Sequence, residues 1–254
     1  MVKVRMREVN TYIQQKGEVK LIELEEMFPD VSSMTLRRDL QKLEETGQII
    51  RVRGGAVSIN SLSDRGERES VYSLRETENI NLKVEIAGKA VNFLETGRSI
   101  FLDSGTTIMC LAKIIPDEKY IITTSGPNIG LEISKKANPQ ISLTGGTINK
   151  DTLSMSGRSA MSFLEDINID IAIMATSGFT LENGFTSGNI NEYELKKYVV
   201  NKSKKVIVLM DEGKIGRNMP YTFARLEDID VLVTAKKLNE DILKRIKEYD
   251  VKLI

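Results

Sequence analysis

The chain reads as an α/β protein in two parts: a small all-α N-terminal domain with a hairpin appended, and a larger α/β domain with a mostly parallel sheet. Over the first 57 residues, apolar positions recur at helical spacing in three segments and then give way to a β-branched run and a pair of glycines. From Asn60 to Glu69 the composition turns polar, Leu62 excepted, as in an interdomain linker. Beyond Val71, short continuous apolar runs alternate with helical patterns, the signature of strands buried on both faces and joined by crossover helices. The domains are expected at residues 1–57 and 71–254, with a linker at 58–70.

From about Lys3 to Gln15, Met6, Val9 and Ile13 keep helical spacing, and Gly17 ends the segment. KLIELEEMF offers Leu21, Leu24 and Phe28 as a second apolar stripe, with Pro29-Asp30 as the turn that follows. In VSSMTLRRDLQKLEETG, Ser32 is a good N-cap, because its side-chain oxygen can accept from an unpaired first-turn amide. The helix so started runs from Ser33 to Thr46. Leu36, Leu40 and Leu43 share its buried face and Gly47 supplies the stop. At roughly 100° per residue, Met34, Arg38 and Gln41 point away from that stripe, flanked by Ser33, Arg37 and Lys42. IIRVR, Gly54-Gly55 as a two-residue turn and AVSI then read as a hairpin.

A basic helix followed by a basic hairpin is the layout of a winged helix-turn-helix. The residues expected to meet duplex DNA are Ser33, Met34, Thr35, Arg37, Arg38, Gln41 and Lys42 on the helix, with Arg51 and Arg53 on the wing. The arginines at the start of the helix are placed to read base edges, and those of the wing to hold phosphates. The rival reading is a three-helix protein-interaction domain with a solvated arginine face.

Composition narrows the function classes. The 254 residues are 41% hydrophobic with a formal net charge of zero, so gross charge gives no support for nucleic-acid binding. Residues 1–57 hold 10 basic and 9 acidic side chains; only from Ser33 to Arg53 does the balance tip, with five basic against three acidic. No run approaches the ~18 apolar residues of a membrane span and the N-terminus has no signal core, which predicts a cytoplasmic protein without membrane contact. The one cysteine, Cys110, excludes an internal disulfide and is expected in the core, and the lack of histidine removes zinc sites of the usual kind and His-based acid–base catalysis. No metal or cofactor is expected.

Strands are expected at 99–103, 120–124, 140–144, 169–175, 205–210 and 230–234, with VKLI closing the chain. In parallel sheets ligands bind beyond the carboxyl ends of the strands. The first strand runs into Asp103-Ser104-Gly105-Thr106-Thr107 and a helix, where glycine, hydroxyls and a helix N-terminus suit a phosphate. The second ends in Thr124-Ser125-Gly126, and the third reaches Thr144-Gly145-Gly146-Thr147. Turn chemistry explains each loop singly; three together point to a phosphorylated, polyhydroxylated ligand. Asp103 would repel a phosphate and is expected to accept from sugar hydroxyls or to cap its own loop.

These stretches resemble the DeoR family of bacterial transcriptional regulators, whose VSxxTxRRDLxxLExxG helix and GGA-ending wing read here as VSSMTLRRDLQKLEETG and RVRGGA. Lys83 to Ala87, FLDSGTT, LTGGT, GFTSGNINEYELKK and VLMDEGKIG are similar to the family's sensor domain, which implies a fold like that of ribose-5-phosphate isomerase. The resemblance implies a repressor that senses a sugar phosphate. It carries Asp103, Gly105, Thr106 and Thr107 onto the phosphate loop, and Ser125, Gly145, Gly146, Lys196 and Lys214 onto the rest of the sensor site. A helix-turn-helix binds half-sites ~34 Å apart as a dimer, so a homo-oligomer, dimer or tetramer, is expected. The rival enzyme, a sugar-phosphate isomerase, needs a carboxylate after the fourth strand; Thr176-Ser177-Gly178-Phe179 stands there instead.

Overall fold

The computed structural model describes residues 2–46, 48–52, 54–58 and 71–254; the helix stop expected at Gly47, the wing residue Arg53 and the expected linker from residue 59 lie outside the described residues. The chain divides into two units, residues 1–74 and 75–254.

In the first unit, α1 (Val2–Lys16), α2 (Leu21–Met27) and α3 (Ser33–Glu45) are the three expected helices. Their stripes meet: Val9 and Ile13, Leu24, and Leu36, Leu40 and Leu43 are all buried in one cluster. Ser32 caps α3 as its chemistry requires, accepting from Thr35 N at 3.3 Å. The hairpin β2 (Ile49–Val52) and β3 (Gly55–Ser58) gains a third strand, β1 (Glu18–Lys20), giving the order β1-β3-β2 and adding a β layer to the expected all-α domain. The turn also shifts. Gly55 pairs with Val52 and with Lys20, so it belongs to β3 and not to a Gly54-Gly55 turn. A Cβ on Gly55 would lie 2.2 Å from Val19 O, so glycine is needed there for the close approach of β1. Arg5 donates to Asp39 at 2.7 Å and ties α1 to α3 beneath the exposed face of the latter.

Helices α4 (Tyr72–Thr77) and α5 (Ile80–Ala90) lead into the second unit. Its main strands are β4 (Ser99–Leu102), β5 (Ile121–Thr124), β6 (Gln140–Leu143), β9 (Ile171–Ala175), β12 (Lys205–Leu209), β14 (Val231–Val233) and β15 (Lys252–Leu253). They form one sheet in the order β15-β14-β12-β9-β4-β5-β6, parallel at every pairing. Side chains alternate between two cores. Ile100, Leu102, Ile171, Ile173, Ile207 and Leu209 face α5, α6 (Thr106–Ile114) and α7 (Pro127–Ile133). Phe101, Ala172, Met174, Val206 and Val208 face α8 (Arg158–Glu165), α9 (Ile190–Lys202) and α10 (Glu240–Glu248). Burial on both faces is why these strands read as continuous apolar runs. Cys110 is buried on α6, in the first of these cores.

Two small β elements were not legible in the sequence: a hairpin of β7 (Thr147–Asn149) and β8 (Ser154–Ser156), and an antiparallel sheet β10-β11-β13, from Gly178–Thr180, Gly184–Ser187 and Tyr221–Ala224. The first strands proceed outward from β4 through β5 to β6, and the chain then returns to place β9 on the other side of β4. This reversal makes a topological switch point between β4 and β9, where the loops beyond two neighbouring strands diverge and leave a crevice.

Candidate functional site

The exposed face of α3 is polar and basic. Met34 is 63% exposed, and Ser33, Arg37, Arg38, Gln41 and Lys42 are also exposed. Gln41 donates to Glu45 at 2.9 Å, while the side chains of Arg37, Arg38 and Lys42 make no hydrogen bond or ion pair among the described residues. Thr35 is less available than its position suggests, because its hydroxyl lies 3.0 Å from that of the capping Ser32. Arg37 and Arg51 line one cleft between α3 and the wing. Arg51 is not free: Glu44 of α3 holds its Nε at 2.6 Å and its backbone amide at 3.0 Å, and Arg51 in turn keeps the Glu44 carboxyl below the usual carboxylate range. That partner neutralises part of the positive charge expected on the wing.

In the second unit, the loop from Asp103 to Thr107 leaves β4 at the switch point. Gly105 holds φ at 118°, a conformation L side chains avoid, so the chain can turn directly from strand into α6. No side chain caps that helix. Its N-terminus is nonetheless enclosed, with Ser104, Thr106 and Thr107 all buried. Unpaired amides at a helix start attract negative charge, and burial heightens the effect. Thr124 and Ser125 are buried at the end of β5; Thr124 Oγ1 accepts from Gly126 N at 3.0 Å, whereas Ser125 Oγ has no partner among the described residues. Beyond β6, Gly145 and Gly146 carry φ values of 70° and 96°, and Gly146 packs against the Ser156 carbonyl.

The structure separates the two expected cations. Lys196 pairs with Asp103 and donates to Ala175 O at 2.8 Å, and Asp103 also accepts from Ala175 N at 3.0 Å. Asp103 therefore fastens the β4 loop to the end of β9 through one carboxylate oxygen, which takes both Lys196 and a backbone amide. Lys196 is thereby neutralised, and one oxygen of the Asp103 carboxylate is engaged within the loop. Lys214, in the short 3₁₀ turn Glu212–Lys214, is buried, and its ammonium has no hydrogen bond or ion pair among the described residues. Its charge is felt by Lys83, a fully buried lysine of α5 that burial, and Lys214 after it, push down to about 8. Lys83 donates to the carbonyls of Arg75 and, at 2.6 Å, of Glu78. Asp211, which begins the turn, accepts from Asn79 Nδ2 at 3.1 Å and from Gly213 N at 3.0 Å.

Residues 5–62 match the DeoR-like helix-turn-helix domain, and residues 78–236 match the DeoR C terminal sensor domain. The chain belongs to the DeoR family. This DeoR-family chain is 36% identical over 224 residues to the HTH-type transcriptional regulator GlpR of Haloferax volcanii, covering 88% of the chain and 86% of that protein. To the HTH-type transcriptional regulator GolR of Listeria innocua it is 31% identical, over 96% of the chain and 94% of the relative. To the HTH-type transcriptional repressor GlcR of Bacillus subtilis it is 32% identical, over 85% and 83%. Among solved structures, ribose 5-phosphate isomerase A of Methanocaldococcus jannaschii aligns with 55% of the chain and 56% of its own, at 16% identity and a TM-score of 0.41. The DeoR-family chain is thus a DNA-binding transcriptional regulator with a sensor domain.

Several residues around the sensor crevice escaped the sequence reading. Lys83 was visible only as part of a resemblance, and Glu192, whose carboxylate is buried on α9, had no motif of its own. Thr176 and Ser177, already read in the loop after the fourth strand, are both buried beyond β9.

Proposed function

We propose that this DeoR-family regulator is a repressor of a sugar-utilisation operon, acting in the cytoplasm as a homo-oligomer whose grip on operator DNA is controlled by a phosphorylated sugar. Residues 1–57 would be the DNA-binding domain, 58–70 the linker and 71–254 the sensor. The observation that carries the reading is the uncapped yet buried N-terminus of α6 at the switch point, ringed by Ser104, Thr106 and Thr107. A phosphate would accept from its amides, Lys214 would supply the unpaired cation, and Ser125, Gly145 and Gly146 would border the sugar. Buried helix dipoles and an uncompensated lysine both await an anion.

The rival isomerase is disfavoured, because moving a proton between two carbons needs a free carboxylate base. Asp103 is the carboxylate of the β4 loop, and it is committed to Lys196 and Ala175 N.

The test is calorimetric titration of sugar phosphates and the matching free sugars on wild type and Thr106→Val. Binding of phosphates alone, weakened in the variant by ~1–3 kcal/mol, is expected. Equal binding of free sugar, or an unaffected Val variant, would overturn the site.

A further inference from the structure

The hairpin β7–β8 is tied down at both ends. At its base, Met155 N donates to Ser125 O at 2.7 Å, and Gly146 packs so closely on the Ser156 carbonyl that a Cβ there would lie 2.4 Å from its oxygen. The base therefore rests on the loops beyond β5 and β6. At its tip, Asn149 Nδ2 at 3.1 Å, Ser154 Oγ at 2.6 Å and Thr152 Oγ1 all donate to one oxygen of Glu192. Glu192 stands one helical turn before Lys196, on the same face of α9. Lys196 in turn bonds to Asp103 and to the Ala175 carbonyl at the end of β9.

In the sheet, β4 lies between β5 and β9. The hairpin thus joins the loops beyond β5 and β6 to α9, which itself reaches the end of β9 through Lys196, so its anchors stand on both sides of the β4 loop. A carboxylate only 5% exposed has lost its water, and three side-chain donors from one hairpin replace it. Neither end of this strap depends on apolar packing alone. Beneath the base, Ser125 Oγ is buried without a partner among the described residues, as expected of a hydroxyl reserved for a ligand.

We propose that Glu192 is a positioning residue of the sensor site: it latches the β7–β8 hairpin over a bound sugar phosphate and so sets how fast the ligand leaves. The inference rests on the sugar-phosphate reading above and adds the roof to it. Bare phosphate, seated on the α6 amides, does not extend to the hairpin and is indifferent to the latch.

The experiment is stopped-flow and calorimetric binding of glucose 6-phosphate, fructose 1-phosphate, glycerol 3-phosphate and inorganic phosphate to wild type, Glu192→Ala and Glu192→Gln. Gln keeps the accepting oxygen without its charge. For whichever sugar phosphate binds wild type, Glu192→Ala should speed dissociation at least about tenfold, with Glu192→Gln between the two. Inorganic phosphate affinity should stay within about twofold in all three proteins. Equal dissociation rates in wild type and Glu192→Ala, no rescue by Gln, or a parallel loss of inorganic phosphate would each overturn the latch. Failure of every sugar phosphate to bind wild type would overturn the sugar-phosphate reading, and this inference with it.

Discussion

Whereas Arg5 and Arg51 are held by Asp39 and Glu44, Arg37 and Arg38 have no competing side-chain partner among the described residues. A side chain already bonded to a neighbour must break that bond before it can read a base; these two need not. Replacing either with Ala should cost ~1–3 kcal/mol of specific binding if it reads a guanine. Gel-shift titration on the promoter duplex against a scrambled one would show this, and a variant that binds both like wild type does not read sequence. Lys83 offers a second residue-scale prediction. Its folded pKa, about 8, lies below its ordinary 10.5, so between those values the unfolded chain holds a proton that the folded chain has released. Stability from this residue therefore rises with pH through that window, by at most ~3 kcal/mol. Denaturant melts of wild type and Lys83→Met at pH 7.5 and 10 should show the wild type gaining on the variant. A constant difference between them would mean that burial does not penalise the charge.

At the scale of elements, the wing depends on an ion pair that no sequence pattern announced. Arg51 and Glu44 are seven residues apart, across a helix end and a strand start. The pair is exposed and so worth little to stability, but it decides how much charge the wing presents. Glu44→Gln should release Arg51 to phosphates, strengthening binding to all duplexes alike and raising the salt slope by about one unit. Arg51→Ala should have a smaller effect than an unpaired arginine would. A salt slope unchanged in both variants would show that the wing stays off the DNA. The helices themselves were legible because their leucine stripes have a period that only a helix can bury. The hairpin β7–β8 and the sheet β10-β11-β13 were not, since strands of three or four residues rich in Gly, Ser and Thr carry neither a long apolar run nor clear alternation.

For the whole molecule, regulation requires that ligand and DNA prefer different conformations. A coupling of ~1–3 kcal/mol would change DNA affinity by about 5- to 150-fold, and operator DNA must then weaken ligand binding by the same factor. Calorimetry of a sugar phosphate with and without operator would test this, and identical affinities would mean that the site does not control DNA binding.

What the sequence determined by itself was the content of each layer: three amphipathic helices, a basic face on the third, the apolar strands, and polar glycine loops at their carboxyl ends. These depend on local periodicity and turn chemistry, which a linear chain displays. The tertiary structure decided which polar groups remain available. Asp103 and Lys196 are 93 residues apart and read as a ligand contact and a spare cation. Strand order brings the β4 loop against β9 and α9, so the two neutralise each other, and the Lys214 ammonium is left without a partner among the described residues. Pairing between distant residues follows from which strands become neighbours, and that order is set by the packing of both sheet faces, not by any segment alone.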